Sequence, residues 1–254
     1  MVQQYFIDKL EVTLKERVPL SELDSHHFLN VMRAKIGTEI KVVDRKGFAY
    51  VAQLVEINEQ IALLEIVRSD ETISIELPVN VTIACGLSKN DKVDTIVQKA
   101  TECGMNEFIP LALKRDVVKW TGNKVKAKVD RLAKISKAAA EQSHRLVVPE
   151  VSDLQTLDQL IKTADSFDVK LIAYEETAKE GLHSQLAEVF RQLEPSQKVL
   201  MVFGSEGGLE SKEVEKLEAA GFLACSLGPR ILRAETAPIY FLSALSFALE
   251  LGKV

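Results

Sequence analysis

From Val79 onward, short apolar runs alternate with longer amphipathic ones, and no other feature limits the fold as strongly. An unbroken apolar run of about four to eight residues suits a strand buried on both faces. A following stretch with helical periodicity suits the helix that covers it. Residues 79–85 predict the first such strand, residues 90–103 a helix ended by Gly104, and residues 107–113 the next strand. The pattern continues through a long helix at 125–145, a strand at 169–174, a helix at 182–193, a strand at 199–203 and a helix at 212–220 closed by Gly221. Residues 222–227 are the last expected strand and 236–251 the last helix, with Pro238 in its first turn, where a missing N–H is harmless. Such repetition implies an α/β domain with a mainly parallel sheet covered by helices.

The preceding segment has a different texture. Residues 39–44, 48–57 and 61–67 read as a β-meander, its strands separated by Arg45-Lys-Gly47 and Asn58-Glu-Gln60. A short helix is expected at 25–32, capped by Asp24 or Ser25 and followed by Gly37. Residues 69–78 are polar and end in a proline, so the boundary is placed there. A small β domain (1–72) then precedes the α/β domain (73–254).

With 46% apolar residues, 254 residues are enough for real cores. No apolar run approaches the roughly 20 residues a bilayer span needs, and the first ten residues lack the basic start and apolar block of a signal peptide, so the expected location is cytoplasmic. Cys85, Cys103 and Cys225 stand singly in apolar runs, which predicts buried thiols and no metal site. The net charge of −5 is unevenly spread: between residues 114 and 137 nine Lys/Arg face two Asp, a net +7 that leaves −12 on the remainder. That basic stretch is either a phosphate-attracting face or a solvated helix surface.

Two loops carry the chemistry. Val199-Leu-Met-Val-Phe-Gly204-Ser205-Glu206-Gly207-Gly208 runs from a strand into glycines that let backbone approach a ligand, just ahead of a helix start with unpaired N–H groups. After the next strand, Leu227-Gly228-Pro229-Arg230-Ile231-Leu232-Arg233-Ala234-Glu235-Thr236-Ala237 forms a long loop at a strand's carboxyl end, where α/β proteins bind ligands. Thr236 either caps the last helix or faces the ligand, and Glu235 either complements the helix dipole or has a role of its own. Neither a G-x-G-x-x-G nor a P-loop sequence occurs, which argues against a Rossmann-type nucleotide site.

These two loops resemble those of the RsmE family, which methylates N3 of a uridine in small-subunit (16S) ribosomal RNA. Further matches are His26-His27, Val31-Met-Arg33 and Gly37, then Lys89 and Lys99-Ala-Thr-Glu102-Cys-Gly104, Ile109-Pro110, Ala140-Glu-Gln142-Ser-His-Arg145 and Pro149. Ser205 replaces the usual proline, which would loosen the turn, and Ala234 the usual threonine. The resemblance implies a C-terminal trefoil-knot (SPOUT) domain, an exception to the rule that chains do not thread loops, behind a PUA-like RNA-holding β-barrel. It also implies S-adenosylmethionine as cofactor and a homodimer as the active form. By position, the implied cofactor cradle is Tyr174, Gly204, Glu206, Gly207, Leu227, Gly228, Ile231, Leu232, Thr236 and Ala237.

Methyl transfer to an imide nitrogen needs in-line placement, loss of the N3 proton and a dry site. Arg233 is the expected stabiliser of the uracil anion, with Arg145 of the partner subunit beside it. Glu206 and Glu235 either accept the proton or, as favoured here, hold the cofactor loops. His26, Arg33, Lys35, Lys114, Arg115 and Arg145 are the expected grip on ribosomal RNA. Two alternatives stay open: a sibling knotted methyltransferase acting on a ribose 2′-hydroxyl or a tRNA base, and a non-catalytic RNA-binding module.

Overall fold

The chain is described here from a computed structural model that covers residues 3–70, 75–174 and 185–252. It divides into two compact units, Met1–Glu76 with Ala140–Val147, and Leu77–Ala139 with Val148–Val254. The expected break between 72 and 73 lies outside the described residues, and the segment around Arg145, expected in the second domain, groups with the first. Local chemistry explains why. Arg145 is only 3% exposed, and its Nε lies 3.0 Å from a carboxylate oxygen of Glu76. Glu76 also accepts the Leu146 N–H at 2.9 Å, and the Gln4 amide donates to the Arg145 carbonyl at 2.7 Å.

The first unit holds β1 (Gln4–Phe6), β2 (Arg17–Pro19), β3 (Glu39–Val43), β4 (Ala49–Asn58) and β5 (Ile61–Ser69) in one sheet of order β1-β3-β4-β5-β2. The three central strands match the expected meander. β1 and β2, three residues each, are too short for a period-2 pattern to show. Along β4, Tyr50, Ala52 and Leu54 alternate inward, and register shifts against β5 at Val51/Ala52 and Leu54/Glu56 are the irregularities that bend a strand. Helix α1 (Glu22–His26) starts earlier than expected because Ser21 is its cap, accepting the Asp24 N–H at 3.1 Å. A π-turn, His27–Val31, follows and seats Phe28 in the core edge-on to Tyr5.

The second unit holds β6 (Asn80–Gly86), β7 (Glu107–Ala112), β8 (Glu150–Val151), β9 (Gln155–Thr156), β10 (Val169–Ala173), β11 (Lys198–Phe203) and β12 (Leu223–Cys225). Their order is β12-β10-β11-β6-β7-β8, with β9 beside β7, and every pairing is parallel. The helices are α2 (Lys92–Glu102), α3 (Asn123–Gln142), α4 (Leu157–Thr163), α5 (Gln185–Gln192), α6 (Ser211–Ala219) and α7 (Thr236–Ser246), the last running on into a π-turn at Phe247–Leu251. Residues 182–184 of the expected helix fall outside the described residues. α3 ends before the expected 145, with His144 taking a φ of 59°, which a helix cannot continue.

Both faces of this sheet are covered, which is why its strands read as continuous apolar runs. Ile83 and Met201 belong to one core with Ile96 of α2, Phe190 of α5 and Phe241 of α7; Ala84 and Val202 belong to the other with Leu160 of α4 and Leu217 of α6. Burying each large apolar side chain contributes about 1.5–3 kcal/mol, so the sheet is a stiff platform for the loops at its ends. β6 and β11 are neighbours, yet the chain moves from β6 to β7 on one side and from β11 to β12 on the other. That reversal is a topological switch point, and the carboxyl ends of its strands are the expected place for a ligand.

Candidate active site

The glycine turn stands at this switch point, but its glycines serve the turn itself. A Cβ on Gly204 would lie 2.7 Å from the Gly208 carbonyl carbon, and one on Gly207 2.7 Å from the Arg115 carbonyl oxygen. Gly86, at the end of β6, is equally constrained: a Cβ there would meet the Ser205 nitrogen at 2.6 Å. At Gly204 a side chain would meet the chain's own backbone, so the close packing of the turn by itself requires a glycine there. The turn closes through a 2.9 Å hydrogen bond from the Gly208 N–H to the Ser205 carbonyl, with Ser205 buried.

Gly228 is different. It takes a φ of +100°, a left-handed conformation that side chains disfavour, and the nearest atom to an added Cβ is the Tyr240 hydroxyl at 3.9 Å. The Ser226 hydroxyl accepts the Gly228 N–H at 3.1 Å and fixes this bend. Beyond it, Leu227 and Leu232 are half-buried while Ile231 is 87% exposed. The Arg233 carbonyl accepts the N–H groups of Thr236 and Ala237 at 2.9 and 3.0 Å, so the loop is stitched to the start of α7. α7 begins at Thr236 itself, with Glu235 in the capping position and no side-chain cap, which rules out the capping role for Thr236. Arg230 and Arg233 are exposed, and among the described residues neither guanidinium enters an ion pair. Tyr174 follows β10, its N–H donating to the Cys225 carbonyl at 3.1 Å.

One residue that sequence reasoning missed joins these parts. The Lys92 ammonium lies 2.7 Å from a Glu206 oxygen and 3.3 Å from a Glu235 oxygen. The hydrogen bond from Lys92 holds the Glu206 carboxyl below the usual carboxylate range, which suits a loop anchor better than a proton acceptor. Two more missed carboxylates sit behind the turn. Buried Glu213 accepts the Lys114 N–H at 2.9 Å and the Glu210 N–H at 2.8 Å, joining the loop after β7 to the start of α6. Asp116 accepts the Leu113 N–H at 2.8 Å, and burial pushes its carboxyl upward. Glu210 and Glu213 form a reciprocal capping box, but glutamate is not a usual first residue of that motif, so nothing local marked Glu213 or Asp116 in the sequence.

The expected RNA-gripping residues separate into three groups. His26, Arg33 and Lys35 are exposed in the first unit, Arg33 with a φ of 55°, and His26 lines a groove of about 720 Å³ with Asn30, Asn58 and Gln60. Exposed Lys114 and Arg115 belong to the second unit, and Arg115 reaches the Gly207 carbonyl at 3.4 Å, which sets it beside the glycine turn. Arg145 is withdrawn from this role, because its charge is buried against Glu76. Burial pushes the Cys85 and Cys225 thiols up to about 12, as inert core thiols require, and among the described residues no cluster of ligating side chains could hold a metal.

The edge fits S-adenosylmethionine. Near an added Gly228 Cβ lies only the Tyr240 hydroxyl, at a contact distance of 3.9 Å, apolar Leu227 and Ala237 border the core, and the Ser88 hydroxyl just beyond β6 is buried with no hydrogen-bond partner among the described residues. Residues 75–246 match the family described as the RNA methyltransferase domain, and residues 20–67 match the RNA methyltransferase PUA domain. A parallel α/β sheet that matches the RNA methyltransferase domain, preceded by a unit that matches the PUA domain, places the chain among the RNA methyltransferases. The chain is 41% identical over 253 residues to ribosomal RNA small subunit methyltransferase E of Bacillus subtilis, covering 98% of each, and it belongs to the RsmE family. The same-named Neisseria gonorrhoeae protein, solved bound to S-adenosylmethionine, superposes with a TM-score of 0.83 at 27% identity, covering 97% of each chain. A putative methyltransferase of Legionella pneumophila, also solved with the cofactor, gives 0.85 at 26% identity over 98% of each.

Proposed function

We propose that this protein transfers the methyl group of S-adenosylmethionine to N3 of a uridine in small-subunit ribosomal RNA, at the carboxyl edge of the second unit's sheet. The observation that supports the reading is that Lys92 joins the glycine turn after β11 to the loop after β12, whose Arg230 and Arg233 are exposed and, among the described residues, enter no ion pair. Tyr174, Gly204, Glu206, Gly207, Leu227, Gly228, Ile231, Leu232, Thr236 and Ala237 border the proposed cofactor cradle.

The sulfonium donor supplies an already activated methyl, so placement and ionisation of the acceptor are left to the protein. Leu227, Ile231, Leu232 and Ala237 offer apolar surface to exclude water. Arg233 donates hydrogen bonds to the uracil carbonyl oxygens as negative charge spreads onto them from N3, which lowers the cost of releasing the imide proton to solvent before the methyl–sulfur bond breaks and the N3–methyl bond forms. Glu206 and Glu235 hold loops. Arg115 beside the glycine turn, and Arg33, Lys35 and His26 on the first unit, take the RNA backbone and flanking bases.

The working form is proposed to be a cytoplasmic homodimer. α7 buries Phe241, Leu242 and Leu245, yet Tyr240, Phe247 and Leu251 of the same C-terminal stretch remain 40%, 62% and 70% exposed, more apolar surface than one core uses. The return of α7 onto α2 after β12 supports the knotted arrangement. No described helix is long and apolar enough to cross a membrane.

The test is methyl transfer from labelled cofactor to small-subunit ribosomal RNA, followed by mass spectrometry of the digested nucleosides. 3-Methyluridine is the expected product. A 2′-O-methylated nucleoside or a modified tRNA base would assign the chain to a sibling activity, and no transfer to naked RNA or to assembled subunits would leave only an RNA-binding module.

A further inference from the structure

We propose that Lys92 is a positioning residue that clamps the two cofactor loops together, and that this clamp sets the affinity for S-adenosylmethionine. The inference rests on the cofactor site proposed above. The glycine turn follows β11 and the arginine loop follows β12, and β10 lies between those strands, so no backbone ladder joins the two loops. The Lys92 ammonium does, meeting Glu206 of the first at 2.7 Å and Glu235 of the second at 3.3 Å. Lys92 opens α2, which follows β6 after the five-residue loop 87–91, so the clamp links the segments after β6, β11 and β12.

The location of the lysine speaks for a function beyond helix stability. Lys92 is the first residue of α2, where the helix dipole is positive and a cation is disfavoured. α2 gains nothing from a lysine there. Two carboxylates converging on one point are also unfavourable without a cation between them, so each glutamate needs Lys92 as much as it needs them. All three side chains are only about a quarter exposed, at 26%, 25% and 24%, which spares the cluster part of the screening that erases surface pairs. A local rule broken at the mouth of a ligand site, and compensated by residues of two ligand loops, is the pattern expected of preorganisation.

Lys92→Met and Lys92→Arg test it in the full-length protein, read by calorimetric titration of S-adenosylmethionine, melting temperature and hydrogen exchange without cofactor. Lys92→Met should weaken cofactor binding about tenfold, the scale of two partly exposed ion pairs. Amides in 204–208 and 228–236 should exchange faster together, with the sheet unchanged and the melting temperature within about 2 °C. Lys92→Arg should restore binding to within a few fold. Glu206→Gln should loosen the glycine turn more than the arginine loop, and Glu235→Gln the reverse. Unchanged affinity or unchanged loop exchange in Lys92→Met would overturn the clamp, as would a general loss of protection through β6 and β11. If Gly228→Val binds the cofactor as the wild type does, the site assignment fails instead, whatever Lys92 does.

Discussion

At the scale of single residues, neighbours decide what a side chain is for. The Arg145 charge is 3% exposed and met by Glu76, so Glu76→Ala removes the carboxylate that compensates it and deprives the Leu146 N–H of its acceptor. We expect a loss of about 3–5 kcal/mol in urea unfolding, the usual cost of breaking a buried pair from one side. A loss below about 1 kcal/mol would mean that the pair is solvated. Asp116 makes a pH-dependent prediction. Its carboxyl is raised chiefly by burial, so the folded state holds its proton to higher pH than the unfolded chain does. Between those two values folding is linked to proton uptake, and stability falls as pH rises through the window; above it the penalty is constant. Asp116→Asn keeps an oxygen for the Leu113 N–H and removes the titration, so relative to wild type it should gain stability as pH rises from about 4 through the carboxylate range. A difference between the two proteins that stays flat over that range would count against it. Neither carboxylate was legible as a site residue, because burial is set by elements far apart in sequence. Arg233 was legible, since its loop's length and position at a strand end are local facts.

At the scale of elements, the legible parts were those with several repeats of a period. The continuous apolar runs of β6 and β11 and the amphipathic α2 were read within a residue or two, because each is buried in a way that a short window records. The short β1 and β2 pair with strands remote in sequence and leave no such record, while the Ser21-x-x-Asp24 cap of α1 was readable and overlooked. The two loop glycines looked equivalent and are not. Gly204→Ala would drive a Cβ into the backbone of Gly208 at 2.7–2.8 Å, so the turn must open. Gly228→Ala meets only the Tyr240 hydroxyl, at an ordinary contact distance of 3.9 Å, and bears mainly the left-handed strain of roughly 1–2 kcal/mol. Scanning calorimetry should therefore show the larger drop in melting temperature for Gly204→Ala; the opposite order would mean that the Gly204 turn opens at little cost.

At the scale of the whole molecule, the division at Glu76/Leu77 with Ala140–Val147 in the first unit changes what a truncation means. A chain beginning at Leu77 keeps Arg145 but loses Glu76, so it should fold poorly unless Arg145 is also replaced by an apolar residue such as methionine. Sedimentation should give about twice 28.2 kDa if the apolar surplus of α7 is covered by a second copy, and a monomer at micromolar concentration would refute that. The claim that joins all three scales is that the loops after β6, β11 and β12 are the active site, with Arg233 facing the base. Single-turnover methylation of small-subunit ribosomal RNA by Arg233→Met and Arg233→Lys, beside calorimetric titration of S-adenosylmethionine, tests it most directly. We expect cofactor affinity within a few fold of wild type and a chemical step slowed roughly 100-fold or more in Arg233→Met, with only partial rescue by lysine, whose point charge cannot present two parallel donors. A wild-type rate in either variant, or parallel losses of cofactor affinity and melting temperature, would contradict that placement.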